Sequence, residues 1–463
     1  MSEASGLEVI VLAAGRGKRM RSKSPKMVHT LAGRPLLQHV LDAVSALAPE
    51  RVHVVVGHQA EQVQDVVGAE ADVNWVQQGE PQGTGHAVGA ALPSLARDAT
   101  ALILLGDVPL VSVPTLQACV AAAGPNSVAL VTAELDDPAQ LGRIVRNEDG
   151  SVAAIVEYAD ATDAQREQKE INSGIMALPA ALLGELLVGV SADNAQGEYY
   201  LTDIVTLARA RHIDVVAVSA PTQQEVAGVN DRAELAELER HYQQRIAQEL
   251  MEGGVTLADP SRLDVRGNVS AGEDCFIDVN VVLQGRVVMG DSVTIGPGCV
   301  ISDSELGSGV YVHPNTVVEG AVVAADCNLG PFARIRPGTQ LGEGVKIGNF
   351  VETKQARLGA GTKASHLAYL GDAELGEDCN VGAGTVTCNY DGVSKHRTSI
   401  GDRVFVGTNS TLVAPIGIGD DAYVGAGSTL TSKVGDGDLA IGRARQRNIH
   451  GWVRPDRREA KDD

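Results

Sequence analysis

The chain has 463 residues, 44% hydrophobic and 21% charged, with 59 acidic against 38 basic side chains and a net charge of −21. That length predicts two or three domains with a real core, and the charge balance excludes a disordered chain and argues against nucleic acid or an anionic membrane as partner. No apolar run reaches a membrane span, the start MSEASGLEV has neither a basic nor an apolar leader region, and the six cysteines (Cys119, Cys275, Cys299, Cys327, Cys379, Cys388) show no CxxC pairing, so a reduced cytoplasmic chain without a zinc site is expected.

The first predicted element is a buried strand, Val9-Ile10-Val11-Leu12, followed by the turn Ala13-Ala14-Gly15 and Gly17. Small residues let backbone N–H groups approach a phosphate. Arg16, Lys18, Arg19, Arg21, Lys23 and Lys26 crowd the same stretch without an intervening acid. A concentrated positive loop on an acidic chain points to one local polyanion such as a nucleoside triphosphate. The spacing is neither a Walker loop nor a Rossmann fingerprint. The string LAAGRGKRM with Pro25-Lys26 resembles the sugar-1-phosphate nucleotidyltransferase signature, except that Lys18 stands where that family usually has a small hydroxyl residue.

Further along, Val52–Val56, Val73–Val76, Ala101–Leu105 and Ser127–Ala133 read as buried strands. Between them, 35–48, 61–67, 86–95 and 114–122 have helical spacing. This alternation predicts a mostly parallel, Rossmann-like α/β sheet covered on both faces over residues 1–230. Ligands of such sheets bind beyond the carboxyl ends of the strands, where the LAAG turn and Gly106-Asp107 fall. Over 231–253 the apolar residues Leu235, Leu238, Tyr242, Ile246 and Leu250 mark a linker helix. Its start is a capping-box variant of Asp231 and Glu234, and Gly253-Gly254 is its stop; Asn230 reads equally as an N-cap of this helix and as a binding residue, or as both.

From residue 254 to 463 the composition shifts, with all four phenylalanines and most glycines. Aliphatic residues recur every six positions: Ile277, Leu283, Met289, Ile295, Ile301, then, after a five-residue step, Leu306, Val312, Val318. Later runs are Leu329, Ile335, Leu341, Ile347 and Ile400 through Leu430. Four residues after most of these stands a small or β-branched residue such as Val293, Cys299, Thr362 or Ser428. This hexapeptide repeat predicts a parallel β-helix with three hexads per coil, and its cysteines are expected to pack rather than ligate. The longest register break, between Thr387 and Ile400, carries Cys388-Asn389-Tyr390-Asp391-Gly392, a polar loop suited to a site or to a simple turn. The charged tail from Arg454 is expected to fray.

Taken in order, LAAGRGKRM, QGTGHA, LGDVPL, EINSGI, AQGEYYLTD, GPFARIRPG, NFVETK, SHLAYLGD and GAGTVTCNYDG resemble the bacterial bifunctional N-acetylglucosamine-1-phosphate uridyltransferase/glucosamine-1-phosphate acetyltransferase family over essentially the whole chain. The resemblance implies a left-handed β-helix, a homotrimer, and Mg2+, UTP and acetyl-coenzyme A as cofactor and substrates. It implies that Leu12, Ala13, Ala14 and Gly15 line the nucleotide, that Arg19 and Lys26 hold its phosphates, and that Gln78 with Gly83-Thr84 reads the uracil. Leu105, Gly106 and Asp107 lie beside the nucleotide, Asp107 and Asn230 bind the metal, and Gly142, Glu157 and Asn172 hold the N-acetylglucosamine. In the second half it implies His366 as general base, oriented by Glu352. Arg336, Lys354, Tyr369 and Asn380 hold the sugar phosphate, and Asn389 and Tyr390 complete the acceptor pocket or polarise the thioester. Ala383, Thr408, Ala426 and Arg443 contact acetyl-coenzyme A. Two other readings are a monofunctional nucleotidyltransferase with a structural β-helix, and a non-catalytic scaffold.

Overall fold

The computed structural model describes residues 6–15, 17–68 and 73–457. Arg16 of the basic loop and residues 458–463 of the tail lie outside the described residues. The chain folds as two compact units, Met1–Ile246 and Ala247–Asp463, and the helix Arg232–Glu252 runs across their junction. Among the described residues, no helix is long and apolar enough to cross a membrane.

The sheet of the first unit runs in the order Asp214–Ser219, Ser127–Glu134, Glu170–Pro179, Thr100–Leu105, Leu7–Leu12, Arg51–Val56, Asn74–Gln77. All pairings along this path are parallel except those of Glu170–Pro179, which is antiparallel to both neighbours. Its near-continuous apolar strands follow from burial on both faces. Val9, Val11, Leu102 and Leu104 enter one core, and Ile10, Leu12, Ala101 and Ile103 the other. Each full burial of such a side chain contributes roughly 1.5–3 kcal/mol, so the alternation fixes the register.

Two observations place the chemistry. Leu12 and Leu105 are register partners at the ends of adjacent parallel strands, and Gly106 donates its N–H to the Leu12 carbonyl at 2.9 Å. The LAAG turn and Gly106-Asp107 therefore emerge side by side.

The second unit is the expected left-handed parallel β-helix. One face is an 11-stranded sheet; the other two join in a 16-stranded sheet through the long early strands such as Val300–Leu306. Stacked residues are 17 or 18 apart, as in Leu263↔Val281, Thr294↔Tyr311 and Glu352↔Tyr369. All the aliphatic repeat residues are buried, and so are the small positions Val293, Cys299, Thr362 and Ser428. Corner hydroxyls turn inward onto carbonyls, Thr362 to Gly376 at 2.7 Å and Thr385 to Gly382 at 2.7 Å. The described cysteines are free, and burial pushes the Cys119 thiol up to about 12 and that of Cys327 up to about 11, so both are packing groups.

Some of the acidity has a structural use. The carboxylates of Asp291, Asp402, Asp420 and Asp436 each accept a backbone N–H from the preceding coil, at Glu273, Glu377, Asp402 and Asp420, over 2.9–3.2 Å. An aspartate at a corner thus ties one coil to the last.

Candidate active sites

A cavity of about 590 Å³ opens at the strand ends of the first unit, walled by Leu12, Ala14, Gly15, Arg19, Lys26, Gln78, Gly83, Thr84, Leu105, Asp107 and Asn230. These were singled out from sequence. Ala13 is buried behind them, and Gly106 packs against Met27 and Leu37. The basic loop reaches this place because Gly17 adopts φ +57° and lies against Lys26, where a Cβ would stand 2.7 Å from the lysine Cβ. Lys26 is buried; its ammonium donates to the Asp107 carboxylate and, at 3.0 Å, to the Asn230 carboxamide oxygen. Two oxygen donors from loops more than a hundred residues apart thus meet on one cation.

The opposite wall is built by QGTGHA. Gly83 holds φ +111°, and a Cβ there would lie 2.5 Å from the Tyr199 carbonyl oxygen. Gly85 donates to that carbonyl at 2.8 Å, and the Thr84 hydroxyl accepts the Leu201 N–H at 3.0 Å. The Gln78 carboxamide, 3.1 Å from His86 Nδ1, is buried beside them.

Gly142, Glu157 and Asn172 form a separate cluster. Asn172 donates its backbone N–H to the Gly142 carbonyl at 2.9 Å, and Thr202 donates its hydroxyl to Glu157 at 3.0 Å. Burial, with Asp203 and Asp160 nearby, raises the Glu157 pKa against the Thr202 hydrogen bond. Burial and the surrounding acids push the Tyr200 hydroxyl up to about 12.

Asn230 does not cap the linker helix. Asp231 accepts the N–H groups of Ala233 and Glu234 at 2.8 and 3.0 Å, and Glu234 accepts the Asn230 N–H rather than that of the cap itself. The capping box is displaced by one residue, which leaves the Asn230 side chain for Lys26.

In the β-helix the predicted residues fall in columns. His366, Ala383, Thr408 and Ala426 each precede a residue with positive φ (Leu367, Gly384, Asn409, Gly427). Backbone bonds join these corners: Gly384 N–H to Leu367 O, Asn409 N–H to Ala383 O, and Gly427 N–H to Thr408 O, at 2.7–2.9 Å. Arg443 extends the column, donating to the Ala426 carbonyl at 2.8 Å. Asn349 is the register partner of His366 one coil earlier.

On the 16-stranded sheet Glu352 stacks between Arg334 and Tyr369, with Arg336 and Lys354 two residues further along their coils. Arg336 donates to Glu352 at 2.6 Å, and no hydrogen bond joins Glu352 to His366 among the described residues. Asn380 lies on the 11-stranded face, stacked between Lys363 and Phe405.

The register break is a real insertion. Stacked partners jump to 25 apart, as in Asn380↔Phe405 and Val386↔Thr411. Asp391 closes the loop, accepting the N–H groups of Val393 and Ser394 and pairing with His396 at 2.7 Å, which holds its carboxyl well below the usual range. The Asn389 amide donates to Asp372, while the Tyr390 hydroxyl donates to the Gly392 carbonyl at 2.6 Å and its ring remains exposed.

Sequence reasoning missed Lys395, Asp372 and Glu198. Lys395 lies across the loop from Tyr390 and beside Lys354, whose pKa it lowers by hydrogen bonding and by its charge. Two adjacent ammonium groups favour an anion between them. Glu198 lines the nucleotide cavity. The only signal for Lys395 was its place in the register break.

Fold and sites together define a nucleotidyltransferase unit followed by a hexapeptide-repeat β-helix. The MobA-like NTP transferase domain matches residues 9–256, the GMPPB C-terminal domain 265–359, and the hexapeptide repeat of succinyl-transferase 397–432. Relatives named bifunctional protein GlmU match nearly end to end. That of Stutzerimonas stutzeri is 54% identical over 98% of this chain and 100% of its own. Those of Marinobacter nauticus and Azoarcus sp. are 51% and 52% identical over 97% of this chain and 99% of theirs. The chain belongs to the GlmU family of bifunctional proteins.

Proposed function

We propose that the chain makes UDP-N-acetylglucosamine in two steps. Acetyl-coenzyme A and glucosamine-1-phosphate give N-acetylglucosamine-1-phosphate, which reacts with UTP to release pyrophosphate. The observation that carries the second step is the meeting of Asp107, Asn230 and Lys26 at a cavity with Arg19 on its wall. An in-line attack on the α-phosphorus needs positioning and charge neutralisation more than a strong base. Arg19 and Lys26 neutralise the triphosphate, Gly15 leaves open space for it, and Gln78 with the Gly83-Thr84 turn faces the base. Gly142, Glu157 and Asn172 receive the N-acetylglucosamine.

Asp107 and Asn230 suit Mg2+, because two hard oxygen donors already converge on one positive charge and leave positions for water and phosphate oxygens. The bound ion would neutralise charge on the phosphates.

In the β-helix the acceptor amine attacks the thioester carbonyl carbon, and coenzyme A leaves as its thiolate. His366 takes the amine proton as general base. Arg336, held by Glu352, joins Lys354 and Lys395 around the sugar phosphate, with Tyr369 and Asn380 beside it. Asn389, fixed by Asp372, presents its carboxamide to the reacting centre, next to Tyr390. The column Ala383–Thr408–Ala426–Arg443 receives acetyl-coenzyme A. We assign the enzyme to the cytoplasm as a homotrimer, in which exposed columns of neighbouring chains complete one another.

The test is thiol release from acetyl-coenzyme A with and without glucosamine-1-phosphate. Acceptor-dependent release supports the bifunctional reading. No release from folded, assembled protein moves the assignment to a nucleotidyltransferase with a structural β-helix.

A further inference from the structure

Beside the nucleotide cavity lies a second, more open cavity of about 690 Å³, walled by Gly17, Lys18, Arg21, Ser22, Lys23, His58 and Gln59. Gly17 and Lys18 also line the nucleotide cavity, so the two share a wall. We propose that this basic groove is a second anion subsite, which receives the pyrophosphate released by uridylyl transfer, with Lys18 handing it across. The inference rests on the nucleotidyl-transfer reading above.

Three observations point this way. First, Lys18, Arg21 and Lys23 form no ion pair among the described residues, although the chain has a large excess of acids. Three uncompensated cations in one groove repel one another and gain stability from an anion. Second, the two sides of the groove are tied together by a fixed backbone. Arg21 and Gln59 both keep positive φ, 48° and 63°, and Gln59 donates its side-chain amide to the Lys23 carbonyl at 3.1 Å. Non-glycine residues in that region cost about 1–3 kcal/mol and persist where surroundings impose them. Third, the basic loop divides. Arg19 and Lys26 face the first cavity, Arg21 and Lys23 the second, and Lys18 borders both.

The reaction supplies the ligand. As the sugar-phosphate oxygen bonds to the α-phosphorus, the bond from that phosphorus to the bridging oxygen breaks. The pyrophosphate leaves with the electron pair, carrying several negative charges. A flexible lysine is a point charge that can follow it; a small hydroxyl at position 18 could not.

The test uses the full chain and the reverse reaction, pyrophosphorolysis of UDP-N-acetylglucosamine. Arg21→Ser/Lys23→Ser is expected to raise the KM for pyrophosphate at least five-fold while the KM for UDP-N-acetylglucosamine stays the same. Arg21→Lys/Lys23→Arg should restore it. Lys18→Thr should weaken product inhibition by pyrophosphate several-fold. Unchanged pyrophosphate KM and inhibition in the folded double variant would overturn the proposal, as would equal rises in both KM values. Calorimetry with pyrophosphate separates this from failure of the reaction itself. Binding by an inactive wild-type chain that weakens in the double variant keeps the subsite and removes the reaction, whereas no wild-type binding removes the subsite.

Discussion

In the first unit, residues as far apart as Leu12 and Asn230 are carried to one cavity by the ends of parallel strands. In the second, the candidate residues recur about one coil apart on a repeating surface. The first arrangement gathers its side chains around a cavity, while the second displays His366, Thr408 and Arg443 at exposed positions. Convergence concentrates charge and supplies a concave pocket from a single fold. Stacking supplies regular spacing along an axis on an open surface.

The comparison breaks if one site depends on the other. The largest effect expected is from His366→Ala, which should lower acetyl transfer about 10²–10⁴-fold and leave uridylyl transfer unchanged in separate assays. Asp107→Asn, or chelation of divalent metal, should lower uridylyl transfer about 10²–10³-fold with acetyl transfer intact. Loss of both activities in either case would mean that the units are coupled.

Smaller effects sharpen the contrast within the first unit. Gly83→Ala should cost about 1–3 kcal/mol, because of its positive φ and the Tyr199 carbonyl. This should appear as a lower urea midpoint and a raised KM for UTP, whereas Gly79→Ala, whose Cβ meets nothing, should change neither. The Glu157 pKa is raised by burial, so the folded state binds more protons than the unfolded state between the ordinary carboxyl value and the raised one. Stability contributed there is full below that window and falls as pH rises through it. Glu157→Gln should flatten that part of a plot of urea midpoint against pH.

Much of this architecture was legible because it is periodic. The hexads fixed which side chains enter the β-helix core, and runs such as Val9–Leu12 marked strands buried on both faces. The antiparallel strand Glu170–Pro179 at the centre of the first sheet escaped notice, since Asn172-Ser173-Gly174 interrupts its apolar pattern and the register shifts there. The hairpin Arg143–Arg146 with Val152–Val156 is short, and arginines end its first strand at both sides. Positions of Lys26, Asp107 and Asn230 could be inferred from strand ends and from resemblance. Their meeting could not, since it depends on the fold between them. Glu352 shows the same limit: it stacks on Arg334 yet pairs diagonally with Arg336, sixteen residues away.

The jump from 17 or 18 to 25 residues per coil at 388–397 leaves the coils on either side in register. In a solenoid each coil answers mainly to its neighbours, and doubling a flexible loop costs only about 0.6 kcal/mol in closure entropy. A corner of this helix can therefore be lengthened almost without mechanical consequence for the shaft. Evolution, or a designer, can splice new loops there while the column Ala383–Thr408–Ala426–Arg443 stays in place.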